Sequence, residues 1–288
     1  MSICAFVNIN KSQNMTSSDV VVVVRGIIRR ITGEKHKVGH MGTLDPMATG
    51  VLPVAIGTAT RLFDLLSEKK KTYIAEFVFG QTTDTLDAWG EIINSNDVTV
   101  TKEDIERILP TMIGNIDQIP PTYSAKSVDG KRAYEYARNG ISIDLPAKKV
   151  TIYDIKLIDG NNNRFRFEIS CGAGTYIRAI ARDLALKLGT FGYMSSLVRS
   201  KSGLFNIENA VDIRTFETEP EKYLITIEEA LANFPFYEIP IDCRKQVLNG
   251  IKLHFDDIPN ETFVATINGK AVGIAENSNG KLSFKLRL

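Results

Sequence analysis

A loop of turn-forming residues that leads directly into an apolar run, between Gly39 and Gly57, constrains the fold of this chain most strongly. The loop carries a single carboxylate, Asp45, and the apolar run extends from Val51 to Ile56. Pro46 biases Asp45 away from the helical region and glycines on both sides allow tight backbone, so the carboxylate should be held at a fixed angle. Such a residue is either a turn aspartate that accepts backbone hydrogen bonds or a positioned nucleophile or base, and the spacing alone favours the turn.

Length and composition indicate an ordinary soluble protein. The 288 residues suffice for one large and one small domain or for two domains, and the apolar content of 43% is that of a globular chain. Cys4, Cys171 and Cys243 are far apart and form no CxxC pair, so neither a disulfide framework nor a zinc site is indicated. The aliphatic run from Val20 to Val24 is too short for a signal peptide or a membrane span, and we expect a cytoplasmic protein.

The net charge of +1 conceals an uneven distribution along the chain. Residues 207–262 contain 12 acidic and 5 basic side chains, so this segment carries −7 and the other residues sum to +8. A basic body with one acidic segment is typical of a protein that binds a polyanion over part of its surface, although it can also be only a solvated face. Nucleic acid is therefore a candidate partner.

Local signals predict several helices in the first half of the chain. Thr16 to Asp19 matches a capping box, which favours a helix over the β-branched run from Val20 to Ile31, ending near Gly33. Two shorter helices are predicted for Thr58 to Leu66 and for Thr101 to Ile108.

An alternating pattern that extends to Phe79 predicts a strand opened by three lysines, from Lys69 to Lys71. The lysines beside Tyr73 suit contacts with phosphate and base, although an edge strand with Tyr73 in the core is the simpler explanation. Further along, residues 119–150 contain six basic and three acidic side chains, with Tyr134 and Tyr136 in a short helix predicted for residues 130–140. This segment could be an RNA-facing flap.

His36 and His40 are four residues apart and could bind a metal from one helix face. No carboxylate or thiolate lies at a ligand spacing, so we expect no metal site. His40 is better interpreted as a stackable ring beside the Asp45 loop.

Two alternating strands, Lys149 to Ile158 and Arg164 to Cys171, are predicted to be joined by a turn at residues 159–162. A glycine-rich turn then leads into a helix that begins near Thr175. Arg178 falls in the first turn of this helix, where the helix dipole disfavours a cation. We therefore expect a carboxylate partner for Arg178 unless it faces open water.

The end of the chain contains only strand and turn signals. Strands predicted for Phe263–Ile267, Ala271–Ala275 and Leu282–Leu288 are separated by Asn-Gly hairpin turns, after an acidic helix predicted for Glu228–Phe234 and a linker predicted for Pro235–Pro240. A meander of about 50 residues is a poor domain alone, so it should pack on the body or close into a barrel.

Taken together, the motifs resemble those of the TruB-type tRNA pseudouridine-55 synthases, over most of residues 5–206. The matching segments, in the family's order, are Gly39–Pro46 and Gly50–Pro53, Lys71–Tyr73, Thr83–Asp87, Pro120–Ala125, Gly174–Arg178 and Leu197–Arg199. The tail is similar to the family's PUA-type RNA-binding domain. The segment from Lys11 to Ser17 lacks the proline and glycine of the family's opening motif, and Ser127 stands where a lysine is common.

The resemblance implies a fold and a domain organisation. We expect an α+β catalytic domain over residues 1–235, built on a mixed, largely antiparallel sheet of the pseudouridine synthase type flanked by helices. The RNA-binding flap would span about residues 119–150. Residues 236–288 would form a small all-β, PUA-like domain.

The resemblance also implies the reaction. A uridine at position 55, in the T loop of tRNA, would be flipped out and isomerised to pseudouridine by an aspartate nucleophile, without a cofactor. The expected partner is the T-arm of tRNA, with no guide RNA and no membrane, and the protein is expected to be a monomer.

By the same resemblance, Asp45 is the nucleophile, Arg178 keeps it ionised and oriented, and Tyr73 stacks on the base and is a candidate proton acceptor. Leu197 would wall the pocket, and His40 would occupy the space that the uridine vacates. The other expected substrate-binding residues are Gly42, Thr43, Lys71 and Tyr176.

Two other functions stay open at this stage. The chain could be an RNA-binding or tRNA-folding protein with an idle pocket, or a guide-dependent relative that acts on ribosomal RNA inside a ribonucleoprotein. The combination of Asp45, Tyr73 and Arg178 argues against the first, because binding alone needs no such trio. The short tail, without a long lysine-rich extension, argues against the second.

Overall fold

A computed structural model of the chain describes residues 3–66, 70–124, 127–128, 130–133, 136, 141, 143–249, 251, 253–255 and 257–288. The α-helices among them are α1 (Ser17–Thr32), α2 (Phe63–Leu66), α3 (Lys102–Ile108), α4 (Ile177–Lys187), α5 (Ile213–Thr218), α6 (Ile227–Ala230) and α7 (Arg244–Leu248). The strands are β1 (Ala5–Lys11), β2 (Val38–His40), β3 (Thr49–Ile56), β4 (Lys71–Phe79), β5 (Gln81–Thr83), β6 (Ile92–Ser95), β7 (Gly114–Gln118), β8 (Ser127–Val128), β9 (Lys131–Arg132), β10 (Lys148–Asn161), β11 (Arg164–Cys171), β12 (Gly192–Ser202), β13 (Phe205–Asn206), β14 (Ile225–Thr226), β15 (Phe236–Glu238), β16 (Phe263–Ile267), β17 (Lys270–Ser278) and β18 (Lys281–Arg287). Lys69, Tyr134 and most of the helix predicted for residues 130–140 lie outside the described residues.

A ten-stranded sheet forms the centre of the molecule, in the order β14-β1-β3-β12-β4-β11-β10-β7, with β2 on β3 and β13 on β12. Its strand pairs are antiparallel except β3 and β12, which run parallel where Thr49 and Gly50 face Val198 and Arg199. The predicted mixed, largely antiparallel sheet is thus confirmed. Parallel pairing requires a long connection, so the start of β3 lies beside a strand from a distant part of the chain.

At β11 the sheet buries one face and exposes the other, as the alternation of this strand predicts, whereas β1 and β3 are buried on both faces. On β11, Phe165, Phe167 and Ile169 are buried, whereas Arg164 and Arg166 are exposed. The apolar stripes of α1 and α4 belong to the same buried cluster. The two helices therefore cover one face of the sheet, and the N-terminus of each lines the cavity described below.

Helix α1 begins and ends where the sequence predicts. Thr16 accepts a hydrogen bond from the backbone of Asp19, and the Asp19 side chain returns one to the backbone of Thr16, which completes the capping box. Gly33 ends the helix in the left-handed region, with φ of 73°. Because one face of the valine-rich run is buried in the core, tertiary packing together with the cap outweighs the β preference of these residues.

The turn after β10 lies later than predicted. Strand β10 continues to Asn161, across register shifts, and the reversal is made by Asn162 and Asn163 with φ of 49° and 60°. Asparagine tolerates this left-handed backbone, and two such residues suit a tight hairpin turn.

No helix in the described residues combines the length and apolar character needed to cross a membrane.

A separate four-stranded sheet, in the order β15-β16-β17-β18, contains the end of the chain. Both predicted Asn-Gly hairpins are confirmed: Asn268 and Gly269 have φ of 53° and 69°, and Asn279 and Gly280 have φ of 56° and 75°. The linker predicted for Pro235–Pro240 is wrong, because Phe236–Glu238 forms β15 and pairs in parallel with β16. Pro235 and Pro240 lie outside this strand, so the residues of β15 keep the N–H groups that strand pairing uses.

The small sheet packs on the rest of the molecule, as the meander argument predicts. Val264 and Ile274 belong to one buried cluster with Phe6 of β1 and Ile227 of α6. The backbone N–H of Ala271 also donates to Oε1 of Glu228, at 2.7 Å. The small sheet thus shares a hydrophobic core with the body, and the domain boundary at residues 235/236 stays a prediction.

Candidate active site

A cavity of about 800 Å³ lies between the loop before β3, the N-terminal ends of α1 and α4, and strand β4. Its volume falls within the range of small-molecule sites, about 300–1,000 Å³. The predicted site residues that line it are His40, Thr43, Asp45, Lys71, Tyr73, Tyr176, Arg178 and Leu197. Gly42, the remaining predicted residue, lies in the same loop, where an added Cβ would come within 3.0 Å of Lys71 Nζ.

The loop around Asp45 is fixed through backbone atoms. The hydroxyl of Ser17, at the start of α1, accepts from the N–H of Leu44 at 2.8 Å and donates to its carbonyl oxygen at 3.1 Å. The N–H of Ala48 donates to the carbonyl oxygen of Asp45 at 3.0 Å. In the described part of the chain, the Asp45 carboxylate itself accepts no backbone hydrogen bond. The conformation of the turn therefore does not depend on this carboxylate.

Arg178 meets this carboxylate from the first turn of α4. Its Nε lies 2.9 Å from Oδ2 of Asp45, and the arginine side chain is 6% exposed. Nη1 donates to the carbonyl oxygen of Thr85 at 2.9 Å and Nη2 to that of Tyr123 at 3.1 Å. The Nε–H is not aligned with Oδ2, so the contact with Asp45 is an ion pair without a well-directed hydrogen bond. The carboxylate partner expected for Arg178 is present.

A second carboxylate, Asp87, lies on the far side of the same guanidinium. Its Oδ2 is 3.4 Å from Nη1 of Arg178, and its side chain is 10% exposed. Oδ1 accepts from the Thr85 hydroxyl at 2.7 Å and from the Trp89 N–H at 3.1 Å. Sequence reasoning placed Asp87 in a matching motif without assigning it a contact. Its place in the polar, turn-prone segment 83–87 was the available signal, which did not indicate burial.

Burial shifts the pKa values of Tyr73, His40 and Lys71. Burial raises the pKa of Tyr73, and the nearby Arg199 guanidinium opposes this only in part, so the phenol is neutral at pH 7. Burial, followed by repulsion from Arg199, lowers the pKa of His40, which keeps its ring neutral. Burial also lowers the pKa of Lys71, with Arg199 again a secondary cause. The cavity therefore presents two neutral rings near a carboxylate and two basic side chains, Lys71 and Arg178.

Tyr176 and Leu197 form part of the wall from two distant segments. The Gln118 amide binds the backbone of Tyr176 twice, accepting from its N–H at 2.8 Å and donating to its carbonyl oxygen at 3.2 Å. Leu197, on β12, is 6% exposed. Both positions are thus fixed before any ligand binds.

Sequence reasoning missed two buried cations beneath the Asp45 loop. Lys11 is fully buried, and its Nζ donates to the carbonyl oxygens of Met15 at 2.8 Å, Ser12 at 3.0 Å and Pro46 at 3.4 Å. Burial lowers the pKa of Lys11 to about 8, against the attraction of Asp45. Arg199, which the sequence analysis names only as the end of a matching segment, is fully buried as well.

The burial of Arg199 could have been predicted from its position two residues after Leu197. Leu197 and Arg199 are alternate residues on β12, so both point to the same face of the sheet. A leucine expected to wall a pocket therefore predicts an inward arginine two residues later.

Among the described residues, no group of three or more His, Cys, Asp or Glu side chains could hold a metal ion.

Comparison with known proteins identifies the family. Residues 29–177 match the family model described as TruB family pseudouridylate synthase (N terminal domain). The chain is 38% identical over 286 residues to tRNA pseudouridine synthase B of Clostridium kluyveri, covering 97% of this chain and 96% of that protein. It is 42% identical over 262 residues to tRNA pseudouridine synthase B of Synechocystis sp., covering 88% of this chain and 86% of that protein.

Solved structures share the fold at lower identity. An H/ACA ribonucleoprotein bound to a substrate RNA containing 2′-deoxyuridine matches with a TM-score of 0.68 and 20% identity, over 99% of this chain and 83% of that chain. A Cbf5–Nop10–Gar1 complex matches with a TM-score of 0.69 and 22% identity, again over 99% and 83%. Similarity at this level shows the common architecture alone. The sequence relatives go further, and with the family match they show that this chain belongs to the TruB family of pseudouridylate synthases.

Proposed function

We propose that this chain isomerises the uridine at position 55, in the T loop of tRNA, to pseudouridine, without a cofactor or a guide RNA. The names of the curated relatives, tRNA pseudouridine synthase B, support the substrate class. The observation that carries the chemistry is the ion pair between Asp45 and Arg178 on the wall of a cavity that can admit a nucleotide. An isomerisation changes neither oxidation state nor composition, so it requires no group donor.

In this proposal Asp45 is the nucleophile. Attack on the ribose or on the base forms a covalent bond to Asp45 and leads to cleavage of the bond between C1′ and N1. The freed uracil turns so that C5 bonds to C1′, and the bond to Asp45 breaks, which regenerates the carboxylate. The proton on C5 leaves to a base and N1 gains a proton, so the atoms balance. Arg178, held by two carbonyl oxygens, stabilises the ionised carboxylate and fixes its direction.

The neutral rings have separate roles in the proposal. Tyr73 stacks on the flipped uracil, for which a neutral phenol is suited, whereas accepting the C5 proton would require lowering a pKa that burial raises. His40, with a neutral ring, occupies the space that the uridine leaves in the loop. Leu197 closes the wall of the pocket. Flipping a base costs a few kcal/mol, and less from a loop than from a duplex.

Binding of the T-arm completes the proposal. Lys71, Thr43, Gly42 and Tyr176 contact the nucleotide or its phosphates at the mouth of the cavity. The flap at about residues 119–150 and the small sheet, as a PUA-like domain over residues 236–288, contact the RNA backbone, and the enzyme acts as a monomer. Affinity should then fall as salt rises, because phosphate contacts release counterions.

The test uses an unmodified tRNA transcript, purified protein and no guide RNA. Pseudouridine is mapped chemically in the wild-type reaction, in a reaction with Asp45→Asn, and with a transcript that carries cytidine at position 55. We expect product at position 55 only, from wild type only, with equal tRNA binding by both proteins. Bound tRNA without product from wild type would support an RNA-binding protein instead. Product only after addition of a guide RNA would support the guide-dependent function.

A further inference from the structure

Arg199 is the largest fully buried side chain in the described residues, and it is bound to backbone carbonyl oxygens. Its Nε donates to Val51 at 2.7 Å, Nη2 to Gly42 at 3.0 Å and Nη1 to Thr43 at 3.3 Å. Among the described residues, no carboxylate lies within ion-pair distance of this guanidinium. Its three carbonyl acceptors therefore lie in the segments before and after Asp45, and the guanidinium also interacts with the phenol of Tyr73.

The backbone of Arg199 contacts the same loop. Gly50 has φ of +100°, and a Cβ added there would lie 2.3 Å from the carbonyl oxygen of Arg199. Residues 50 and 199 also face each other in the parallel pair of β3 and β12. Side chain and backbone of one residue thus fix the loop on both sides of Asp45, with Gly42 and Thr43 before it and Gly50 and Val51 after it.

The chemistry of the contacts requires an arginine. Burying a cation without a carboxylate partner is unfavourable, and here three carbonyl acceptors that an apolar residue would leave unsatisfied offset that cost. A guanidinium presents donors in a fixed planar fork, and here three of its nitrogens reach three separate acceptors. A lysine has a single nitrogen and cannot span them. Arg199 does not line the cavity, so it does not contact substrate.

We propose that Arg199 is a positioning residue, which holds the backbone on both sides of Asp45 so that the carboxylate meets Arg178 and the nucleotide at the required distance. This inference rests on the proposed function and refines it. A nucleophile misplaced by about 1 Å can lose about 100-fold in rate, which gives the scale of the effect. The affinity for tRNA should change little, because phosphate contacts made elsewhere on the protein dominate it.

The test compares Arg199→Lys and Arg199→Met with wild type. Single-turnover rates with excess enzyme report the chemical step, filter binding of tRNA reports affinity, and hydrogen exchange of peptides covering residues 41–50 reports the loop. The control is Ile105→Ala, a cavity in the buried face of α3, at an assay temperature below all melting transitions. This control variant distinguishes the effect of lower stability from the effect of a displaced Asp45 loop.

We expect Arg199→Lys to fold, to lower the single-turnover rate about 10- to 100-fold, and to leave the tRNA dissociation constant within about threefold of wild type. Exchange in residues 41–50 should accelerate, and Arg199→Met should show the larger effects. Ile105→Ala should lower the melting temperature without lowering the rate.

Three outcomes would overturn the positioning role: an Arg199→Lys rate within about twofold of wild type, an equal fall in Ile105→Ala, or a slower reaction with unchanged exchange in the loop. If wild type itself makes no pseudouridine, the proposed function fails. The exchange measurement would then still test whether Arg199 orders the loop.

Discussion

Nε of Arg178 lies 2.9 Å from Oδ2 of Asp45, although the aspartate belongs to the loop before β3 and the arginine to helix α4. The guanidinium is held independently by the carbonyl oxygens of Thr85 and Tyr123. Its direction is therefore set by the protein before substrate binds. The cation that faces the proposed nucleophile is preorganised.

Replacing Arg178 by lysine should lower the single-turnover rate about 100-fold or more. The ammonium keeps the charge but cannot reach Asp45, Thr85 and Tyr123 together, because it carries one nitrogen. Rapid-quench measurement of pseudouridine formation checks this. Arg164→Lys, on the exposed face of β11, is the matched control and should react like wild type. Equal rates for both variants would contradict the role of Arg178.

Asp87→Asn tests the second carboxylate on the guanidinium. The amide oxygen can still accept from Thr85 and Trp89, so the main loss is the charge opposite Arg178. We expect the free energy of unfolding to fall by about 1 to 3 kcal/mol and the reaction to slow about tenfold. Urea denaturation and single-turnover kinetics measure the two effects. Asp84→Asn, an exposed neighbour without contact to Arg178, should change neither by a comparable amount.

Two glycine-to-alanine substitutions should have opposite effects on stability. Gly50→Ala places a Cβ against the carbonyl oxygen of Arg199 at a φ that alanine rarely adopts, and should lower the free energy of unfolding by about 2 to 5 kcal/mol. Gly26→Ala lies on the exposed face of α1 with no atom within 4 Å of the added carbon, and should raise it by about 0.5 to 1 kcal/mol. Thermal and urea unfolding of both variants provide the measurement. Destabilisation by Gly26→Ala would contradict the assigned helix.

Lys11 should titrate near pH 8 in the folded protein, because burial lowers its pKa. Below pH 8 the folded and unfolded states both hold the proton, so the cost of burying the charge is fully present. Between pH 8 and about 10.4 the unfolded chain retains a proton that the folded protein has lost, so the free energy of unfolding rises with pH, by at most about 1.4 kcal/mol per unit.

Carbon-13 NMR of the lysine ε-carbons measures this titration directly. The Lys11 resonance is assigned by its loss in Lys11→Arg. A midpoint near pH 8 is expected, and a midpoint above pH 10 would show that its three carbonyl acceptors offset the burial.

Local chemistry made much of the fold predictable. The cap at Thr16 and the glycine at position 33 delimit α1, and the two Asn-Gly turns fix the hairpins of the small sheet. Strand β15 could not be found this way, because a strand of three residues carries no periodic signal and is ordered by pairing with β16. Its pairing is a tertiary effect.

The site was predictable by residue type and less so by environment. The resemblance selects Asp45 and Arg178, and the helix dipole at the start of α4 favours a carboxylate beside the arginine unless the arginine faces open water. The burial of Lys11 and Arg199 was not predicted, because a basic residue is assigned to the surface by default. Only the register of the sheet places these two side chains inside. The second carboxylate, Asp87, depends on a fold in the loop after β5 that sequence alone does not specify.

The parallel pairing of β3 with β12 has a consequence during synthesis. A chain emerging from the ribosome exposes Asp45 long before Arg178, Leu197 and Arg199 are made, and β3 can pair only with β1 and β2 until then. Asp45 therefore lies in an incomplete sheet and has no ion pair with Arg178 until the later part of the chain is made. A nascent or prematurely terminated chain that lacks β12 should therefore be inactive, and activity should require the docking of β12.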